Sequence, residues 1–251
     1  MKKQLTYKEY GNMSGPLLVF LHGGGVNGWM WDKQVEYFKK YHCLVPTLPG
    51  HGLQKGKVPF SIHDCALEII QLIEEKRTEK EVILIGFSLG AQIVIEILSV
   101  ALNLASYAVI NSANVMNTRF MDTMVAPLIK MTSGLVKYKT FAKMQAKQLY
   151  ISEQYFETYY RESIEMDTDN LINILKESFS YEMPSSFSES NAKILVTVGE
   201  KEKPIMKKSA AKIAEQNSNC KEMIILGIGH GFPLADPDSF NETVEAWIND
   251  N

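Results

Sequence analysis

Short runs of consecutive apolar residues recur along this chain, and each run ends at a glycine or another turn-forming residue. Because the apolar residues are consecutive rather than alternating, the pattern predicts strands that are covered on both faces, as in a parallel sheet. The predicted strands are residues 17–21, 43–45, 82–85, 107–110, 194–198 and 223–226.

Helical patterns separate several of these strands. Ser61 and Asp236 are suitable N-cap residues, and Pro204 and Pro237 suit a first helical turn. The alternation of strand and helix predicts an α/β fold with a doubly wound, mostly parallel sheet. The predicted helices are residues 61–77, 89–102, 204–217 and 237–248.

Residues 114–189 depart from this alternation, because they contain no clear strand and hold seven of the twelve methionines. A helical insertion rich in adaptable apolar side chains suits a lid over a substrate pocket, although the same side chains could form a small core of their own. We therefore expect a core of residues 1–113 and 190–251 and a helical lid, or cap, of residues 114–189. The methionines are Met116, Met121, Met124, Met131, Met144, Met166 and Met183.

Composition excludes several classes of function. The net charge is −3 and the lysines form no long block, so we expect no nucleic-acid partner. Cys43, Cys65 and Cys220 are scattered, with no CxxC pair and no Cys/His cluster. The sequence therefore predicts neither a disulfide framework nor a metal site.

The sequence also bears on the cellular compartment. The first ten residues lack the apolar segment of a signal peptide, and no apolar run reaches the length of a transmembrane helix. We therefore expect a cytoplasmic protein without stable membrane insertion. Its oligomeric state is not encoded in any of these patterns.

A candidate nucleophile lies in the segment Gly86-Phe87-Ser88-Leu89-Gly90, between an apolar strand and an apolar helix. A chain that passes from strand to helix without a loop forces the central residue into a strained conformation, so its neighbours two positions away must be small. The serine hydroxyl is then held at a helix N-terminus, where developing negative charge is favoured.

This motif resembles the nucleophile elbow of the α/β-hydrolase superfamily, in its capped serine esterase and hydrolase branch. The resemblance implies that an acid and a histidine follow the serine in that chain order. His230 is the only histidine after Ser88, and it lies between the last predicted strand and the last predicted helix. It is therefore the implied general base.

The same resemblance implies a triad acid in the loop that follows residues 194–198. Glu202 stands three residues after Gly199, where the family more often has aspartate, and Glu200 is the rival. The family's other acid position follows residues 107–110, but residues 111–114 contain no carboxylate. Glu202 is therefore the predicted acid.

The segment Leu21-His22-Gly23-Gly24-Gly25 resembles the family's oxyanion loop. The resemblance implies that the backbone N–H groups of Gly24 and Leu89 bind the oxyanion. His22 is expected to brace this loop, and His51 to be a turn residue. These glycines lack the lysine–serine pair of a phosphate-binding loop and the spacing of a dinucleotide fingerprint, so no cofactor is expected.

The resemblance implies a serine hydrolase that cleaves a small to medium apolar ester or thioester through an acyl-enzyme on Ser88, with His230 as base. Its partner would be a small-molecule, ester-type substrate. The same residues leave other reactions open: hydrolysis of lactones, amides or carbon–carbon bonds, and acyl transfer to another alcohol. A non-catalytic small-molecule receptor on the same fold also remains open, because fold does not fix function.

Overall fold

The structure, a computed structural model, describes residues 5–52, 60–117 and 119–249. Residues 1–4, 53–59 and 250–251 of the predicted core lie outside the described residues. The same holds for residue 118 of the predicted lid and for the side chains of residues 119–123, Met121 among them.

A seven-stranded sheet forms the centre of the described part of the chain, with the strand order β1-β3-β2-β4-β5-β6-β7. Only β1 runs antiparallel to its neighbour, β3, and the other strand pairs are parallel. All six predicted strands are present, most of them a residue or more longer than expected. The strands are β1 Tyr7–Gly11, β2 Leu17–Leu21, β3 His42–Pro46, β4 Val82–Phe87, β5 Tyr107–Asn111, β6 Lys193–Gly199 and β7 Cys220–Ile225.

The sequence did not predict β1. Its residues Tyr-Lys-Glu-Tyr-Gly are mostly polar and partly exposed, because the strand pairs along one side only and lies at the sheet edge. Such a strand carries no continuous apolar run, and it is defined by its antiparallel pairing with β3.

Helices cover the sheet, and all four predicted helices are present. The Ser61 hydroxyl accepts a hydrogen bond from the Asp64 amide at 3.2 Å, and the Asp236 carboxylate accepts one from the Ser239 amide at 3.2 Å, as helix caps do. The helices are α1 Asp32–Tyr37, α2 Ile62–Lys76, α3 Leu89–Val100, α4 Arg119–Thr132, α5 Lys139–Gln148, α6 Glu153–Glu165, α7 Thr168–Ser180, α8 Pro204–Gln216, α9 Phe232–Ala235 and α10 Pro237–Asn249, with 3-10 segments at Gly28–Trp31, Ser133–Lys137 and Ser185–Glu189.

The apolar core lies in two layers, one on each face of the sheet. Alternate residues of each central strand point to opposite faces, so Leu84 of β4 belongs to the layer that includes α2, α3 and α8, while Ile83 and Ile85 belong to the layer that includes α1 and α10. Burial on both faces explains the continuous apolar runs. The doubly wound, mostly parallel sheet is thus confirmed.

The last strand differs from the prediction of coverage on both faces. β7 pairs with β6 and forms the sheet edge opposite β1. The Ile224 side chain is half exposed, and Leu226 just beyond the strand is 77% exposed. That expectation was wrong for this strand because a short apolar run does not reveal whether it lies at the centre or the edge of a sheet.

The described residues of the 114–189 segment are helical and contain no strand, as the sequence predicts. Their buried side chains join both core layers: Phe156 of α6 packs in one, and Ile174 of α7 packs in the other. This segment is therefore anchored to the sheet's own cores on both faces. Its role as a lid remains a prediction.

We expect Gly90→Ala to destabilise the fold by about 1–3 kcal/mol, since over-packing in a close contact costs this much. A Cβ on Gly90 would clash with the Leu21 carbonyl and lie 2.7 Å from the carbonyl oxygen of His22, so α3 would have to move away from β2. Urea unfolding would measure the change. The matched control is Gly134→Ala, because an added Cβ there meets nothing within 4 Å; equal effects of the two variants would contradict the close contact.

Candidate active site

Ser88 occupies the turn from β4 into α3. Its backbone φ is 53° and ψ is −111°, a left-handed conformation that non-glycine residues rarely adopt. A Cβ on Gly86 would lie 2.7 Å from the Cα of Ala91, so the helix leaves the strand with no room between them. The turn therefore holds the serine at the N-terminus of α3, at the carboxyl end of a central strand.

His230 lies in the loop between β7 and α9 and connects Ser88 to Glu202. Its Nε2 is 3.1 Å from the Ser88 hydroxyl oxygen, and its Nδ1 is 2.8 Å from Oε2 of Glu202. A carboxylate can only accept, so the Nδ1–H donates to Glu202 and Nε2 is the acceptor for the serine hydroxyl. The imidazole is about a third exposed, whereas the Glu202 side chain is 1% exposed.

Glu202 is held in place by two further donors. Its Oε1 accepts hydrogen bonds from the Gly199 amide at 2.9 Å and from the Ser112 hydroxyl at 2.7 Å. Burial favours the neutral carboxyl, but the hydrogen bond and charge of His230 together with these two donors outweigh it and lower the pKa of Glu202 below its ordinary value. Glu202 is therefore a carboxylate at neutral pH.

Glu200, the rival acid, points elsewhere. Its Oε2 accepts a hydrogen bond from the Gly227 amide at 2.9 Å on the exposed side of the same loop. The structure thus brings Glu202, and not Glu200, to His230.

The two predicted oxyanion residues lie side by side. A Cβ built on Gly24 would be 3.8 Å from Cδ2 of Leu89, so the loop after β2 approaches the start of α3 closely. Leu89 is the first residue of α3, where intrahelical bonds leave the amide N–H groups unused. The arrangement places an anion-favouring helix terminus directly beside Ser88.

Two buried histidines support this loop. The Nε2 atom of His22 accepts a hydrogen bond from the Leu48 amide at 3.0 Å, and its Nδ1–H donates to the Gly23 carbonyl at 2.9 Å. The Nδ1 atom of His51 lies 3.1 Å from the Pro49 carbonyl, and the two rings are 4.9 Å apart. The bracing role expected for His22 and the turn role expected for His51 are therefore confirmed.

Burial keeps both rings neutral. It lowers the pKa of His22 to about 3, with a contribution from His51, and it lowers the pKa of His51 to about 4. Neither ring is available to move a proton for Ser88, because both nitrogens of His22 are bonded to the Leu48 and Gly23 backbone and His51 is buried against the Pro49 carbonyl.

Sequence reasoning missed Ser112, which follows β5. Its hydroxyl holds Glu202, and it is a non-glycine residue with a positive φ of 57°. A serine in the loop where the family's alternative acid lies carries no sequence signal of this role. The role becomes visible only in the folded structure, because Ser112 and Glu202 are ninety positions apart in the chain.

The 114–189 segment also supplies contacts that the sequence did not indicate. The Tyr150 hydroxyl accepts a hydrogen bond from the Gly229 amide at 3.0 Å, beside His230. A methyl carbon of Ile174 lies 3.9 Å from a Cβ built on Gly24. The segment therefore reaches both the histidine loop and the oxyanion loop.

Among the residues that the structure describes, no group of three or more His, Cys, Asp or Glu side chains could hold a metal ion. Within the same residues, none of the helices combines the length and the apolarity needed to cross a membrane.

A family model described as the alpha/beta hydrolase family matches residues 18–243. The pimeloyl-acyl-carrier-protein methyl ester esterase of Vibrio vulnificus is 38% identical over 93 residues, 36% of this chain and 33% of that protein. The 3-oxoadipate enol-lactonase 2 of Acinetobacter baylyi is 32% identical over 72 residues, 28% of this chain and 27% of that protein. Similarity to the curated relatives thus spans about a third of their length or less.

Solved structures resemble the chain over nearly its whole length. The crystal structure of the enol-lactonase from Burkholderia xenovorans superposes with a TM-score of 0.80 at 14% identity, covering 97% of this chain and 96% of that chain. A likeness at this identity shows the fold.

We expect the free energy of unfolding to fall as the pH is lowered from about 6.5 to about 4, by up to about 1.4 kcal/mol per pH unit for each buried histidine. The unfolded chain binds protons on both rings below about pH 6.5, whereas folded His22 and His51 stay neutral until their lowered pKa values are reached. Urea unfolding at a series of pH values measures the slope.

His51→Gln should make this decline shallower, because the contribution of one of the two buried histidines, up to about 1.4 kcal/mol per pH unit, is removed. His63→Gln is the comparison variant: it removes a ring that is 57% exposed and lies 2.7 Å from Glu96 Oε1, so it should not make the decline shallower. An unchanged slope in His51→Gln would show that the buried ring does not contribute.

Proposed function

The chain belongs to the alpha/beta hydrolase family, and we propose that it is a serine hydrolase acting on a small to medium apolar ester or thioester through an acyl-enzyme on Ser88. The observation that carries the proposal is the chain of hydrogen bonds from the Ser88 hydroxyl through His230 to the buried Glu202 carboxylate. Nucleophile, base and orienting acid stand in the order that acyl transfer requires.

Acylation starts when the Ser88 oxygen attacks the substrate carbonyl carbon. His230 Nε2 takes the hydroxyl proton, and the Glu202 carboxylate stabilises the imidazolium through the Nδ1–H bond. The carbonyl oxygen becomes an oxyanion that accepts hydrogen bonds from the amides of Gly24 and Leu89. One such donor contributes about 3–4 kcal/mol of transition-state stabilisation.

Acylation ends when the His230 imidazolium protonates the departing alkoxide or thiolate, which leaves the acyl group on the Ser88 oxygen. Deacylation then repeats these roles with water as the nucleophile. The neutral imidazole then takes a proton from water as the water oxygen attacks the acyl carbon, and returns that proton to Ser88. The products are a carboxylic acid and a free enzyme.

Two observations support a carboxylic ester as the substrate class. The Vibrio vulnificus and Acinetobacter baylyi relatives are named as an esterase and a lactonase, and both names denote cleavage of a carboxylic ester. The buried side chain of Ile174 lies against the oxyanion loop, where it would give an apolar acyl group a contact. We extend the proposal to the 114–189 segment as the cap of the substrate pocket.

The compartment proposed from the sequence is the cytoplasm. Support comes from the three cysteines, which are all free, with Cys43 and Cys65 buried. Free thiols of this kind persist in reducing compartments.

Ser88→Ala should abolish labelling by a fluorophosphonate probe and lower turnover of p-nitrophenyl esters on the order of 10⁶-fold, because the nucleophile is lost. In-gel fluorescence and a series of esters of increasing acyl length measure both effects. Ser188→Ala, which changes an exposed serine, is the control. A wild-type protein that neither labels nor turns over any ester would favour the receptor alternative.

Glu202→Gln should lower kcat/KM on the order of 10⁴-fold, because a neutral amide no longer fixes the imidazole tautomer or stabilises its charge. Glu200→Gln is a matched control in the same loop, and its kcat/KM should stay near the wild-type value, since Glu200 bonds the Gly227 amide instead. A larger loss in the Glu200 variant would overturn the assignment of the acid.

A further inference from the structure

An apolar surface is exposed on α4, on the 3-10 segment that follows it and on Tyr138 just beyond that segment. Its members recur every three or four residues, so those on α4 share one side of the helix, while Val125 on another side is buried. Monomeric proteins rarely expose a large apolar patch without a use for it. The α4 surface consists of Met124 (48% exposed), Leu128 (49%), Met131 (73%), Leu135 (41%) and Tyr138 (65%).

The stretch of chain that forms the α4 surface is rich in lysine, although the whole chain carries −3. Residues 124–152 contain five lysines and no acidic residue. Lys130 and Lys137 are exposed and alternate with the apolar members of the surface along the chain. Two others, Lys139 and Lys143, are paired with Glu157 and Glu153 of α6 at 2.7 and 3.2 Å.

We propose that the α4 surface docks the protein on a membrane that contains anionic phospholipid. The apolar side chains would lie at the boundary between headgroups and acyl chains, and the lysine ammonium groups would reach the phosphates on their flexible stems. A helix with an apolar face and flanking lysines has the composition of helices that lie in the plane of a membrane interface.

The positive charge decides between a membrane and a second copy of the chain. In a symmetric dimer the same patch lies on both sides of the interface, so the lysines of both copies are brought into one region, with no carboxylate from residues 124–152 to pair with them. Like charges brought together in an interface oppose association, whereas an anionic leaflet attracts each lysine. The lipid surface is therefore the occupant that matches both the apolar and the charged residues.

Docking of this kind goes beyond the proposed hydrolase activity and does not depend on it. The α4 surface belongs to the same segment that contacts the histidine and oxyanion loops through Tyr150 and Ile174. A docked protein would therefore present the segment nearest its active site to esters dissolved in the membrane.

The test is co-sedimentation with vesicles of phosphatidylcholine, alone or mixed with phosphatidylglycerol, at low and high salt. We expect wild-type protein to bind only the mixed vesicles and to be released by salt. Lys130→Gln combined with Lys137→Gln should weaken binding about 25-fold, which is about fivefold for each lysine near the surface. Leu128→Ser combined with Met131→Ser should weaken it about tenfold or more.

Matched controls change the same residue types elsewhere. Lys208→Gln with Lys212→Gln alters two exposed lysines of α8, and Ile224→Ser with Leu226→Ser alters two exposed apolar residues at the sheet edge. Both should bind as wild type does. Thermal unfolding verifies that each variant is folded, and Ser88→Ala should bind vesicles normally, which separates docking from catalysis.

Three results would overturn the proposal. One is wild-type protein that binds neither vesicle, or binds both equally. Another is a loss of binding in the control variants as large as in the α4 variants. The third is a wild-type dimer, measured by light scattering, that becomes a monomer in Leu128→Ser with Met131→Ser, because the surface would then be occupied by a second copy.

Discussion

The direct passage from β4 into α3 is the constraint on which the rest of the site depends. The helix starts so close to the sheet that Gly86 and Gly90 have no space for a side chain, and the residue between strand and helix takes a positive φ. That strain is maintained by the packing of an almost fully buried helix against a buried strand. Its result is a serine hydroxyl fixed at a helix N-terminus, to which every other part of the site is fitted.

Loops at the carboxyl ends of the strands bring the partners to this serine. Each loop is held by a polar contact: His22 fixes the loop after β2 and Ser112 and the Gly199 amide fix Glu202, all three in buried contacts, while the more exposed Tyr150 bonds the loop that carries His230. Unmade hydrogen bonds are costly in a buried setting, so each buried contact has essentially one arrangement. The site is therefore preorganised by its surroundings and not only by its own three residues.

The charges in the site are also set by the surroundings of each group. His22 and His51 are enclosed without a carboxylate and stay neutral, whereas His230 is partly exposed and faces an ionised Glu202. The difference between a bracing histidine and one suited to acid–base work is thus set by environment. The 114–189 segment, in turn, contacts the site loops on one side and carries the exposed basic and apolar α4 surface on its outside.

Much of this molecule followed from local sequence. Continuous apolar runs indicated the buried strands, the caps at Ser61 and Asp236 set helix starts, and two glycines around Ser88 indicated the strained turn. Only the tertiary structure decided what depends on contacts distant in the chain: the edge strand β1, the exposure of β7, and the roles of Ser112 and Tyr150. The physical reason is that periodicity and backbone preference act between near neighbours, whereas a hydrogen-bond partner is fixed by where the whole fold brings it.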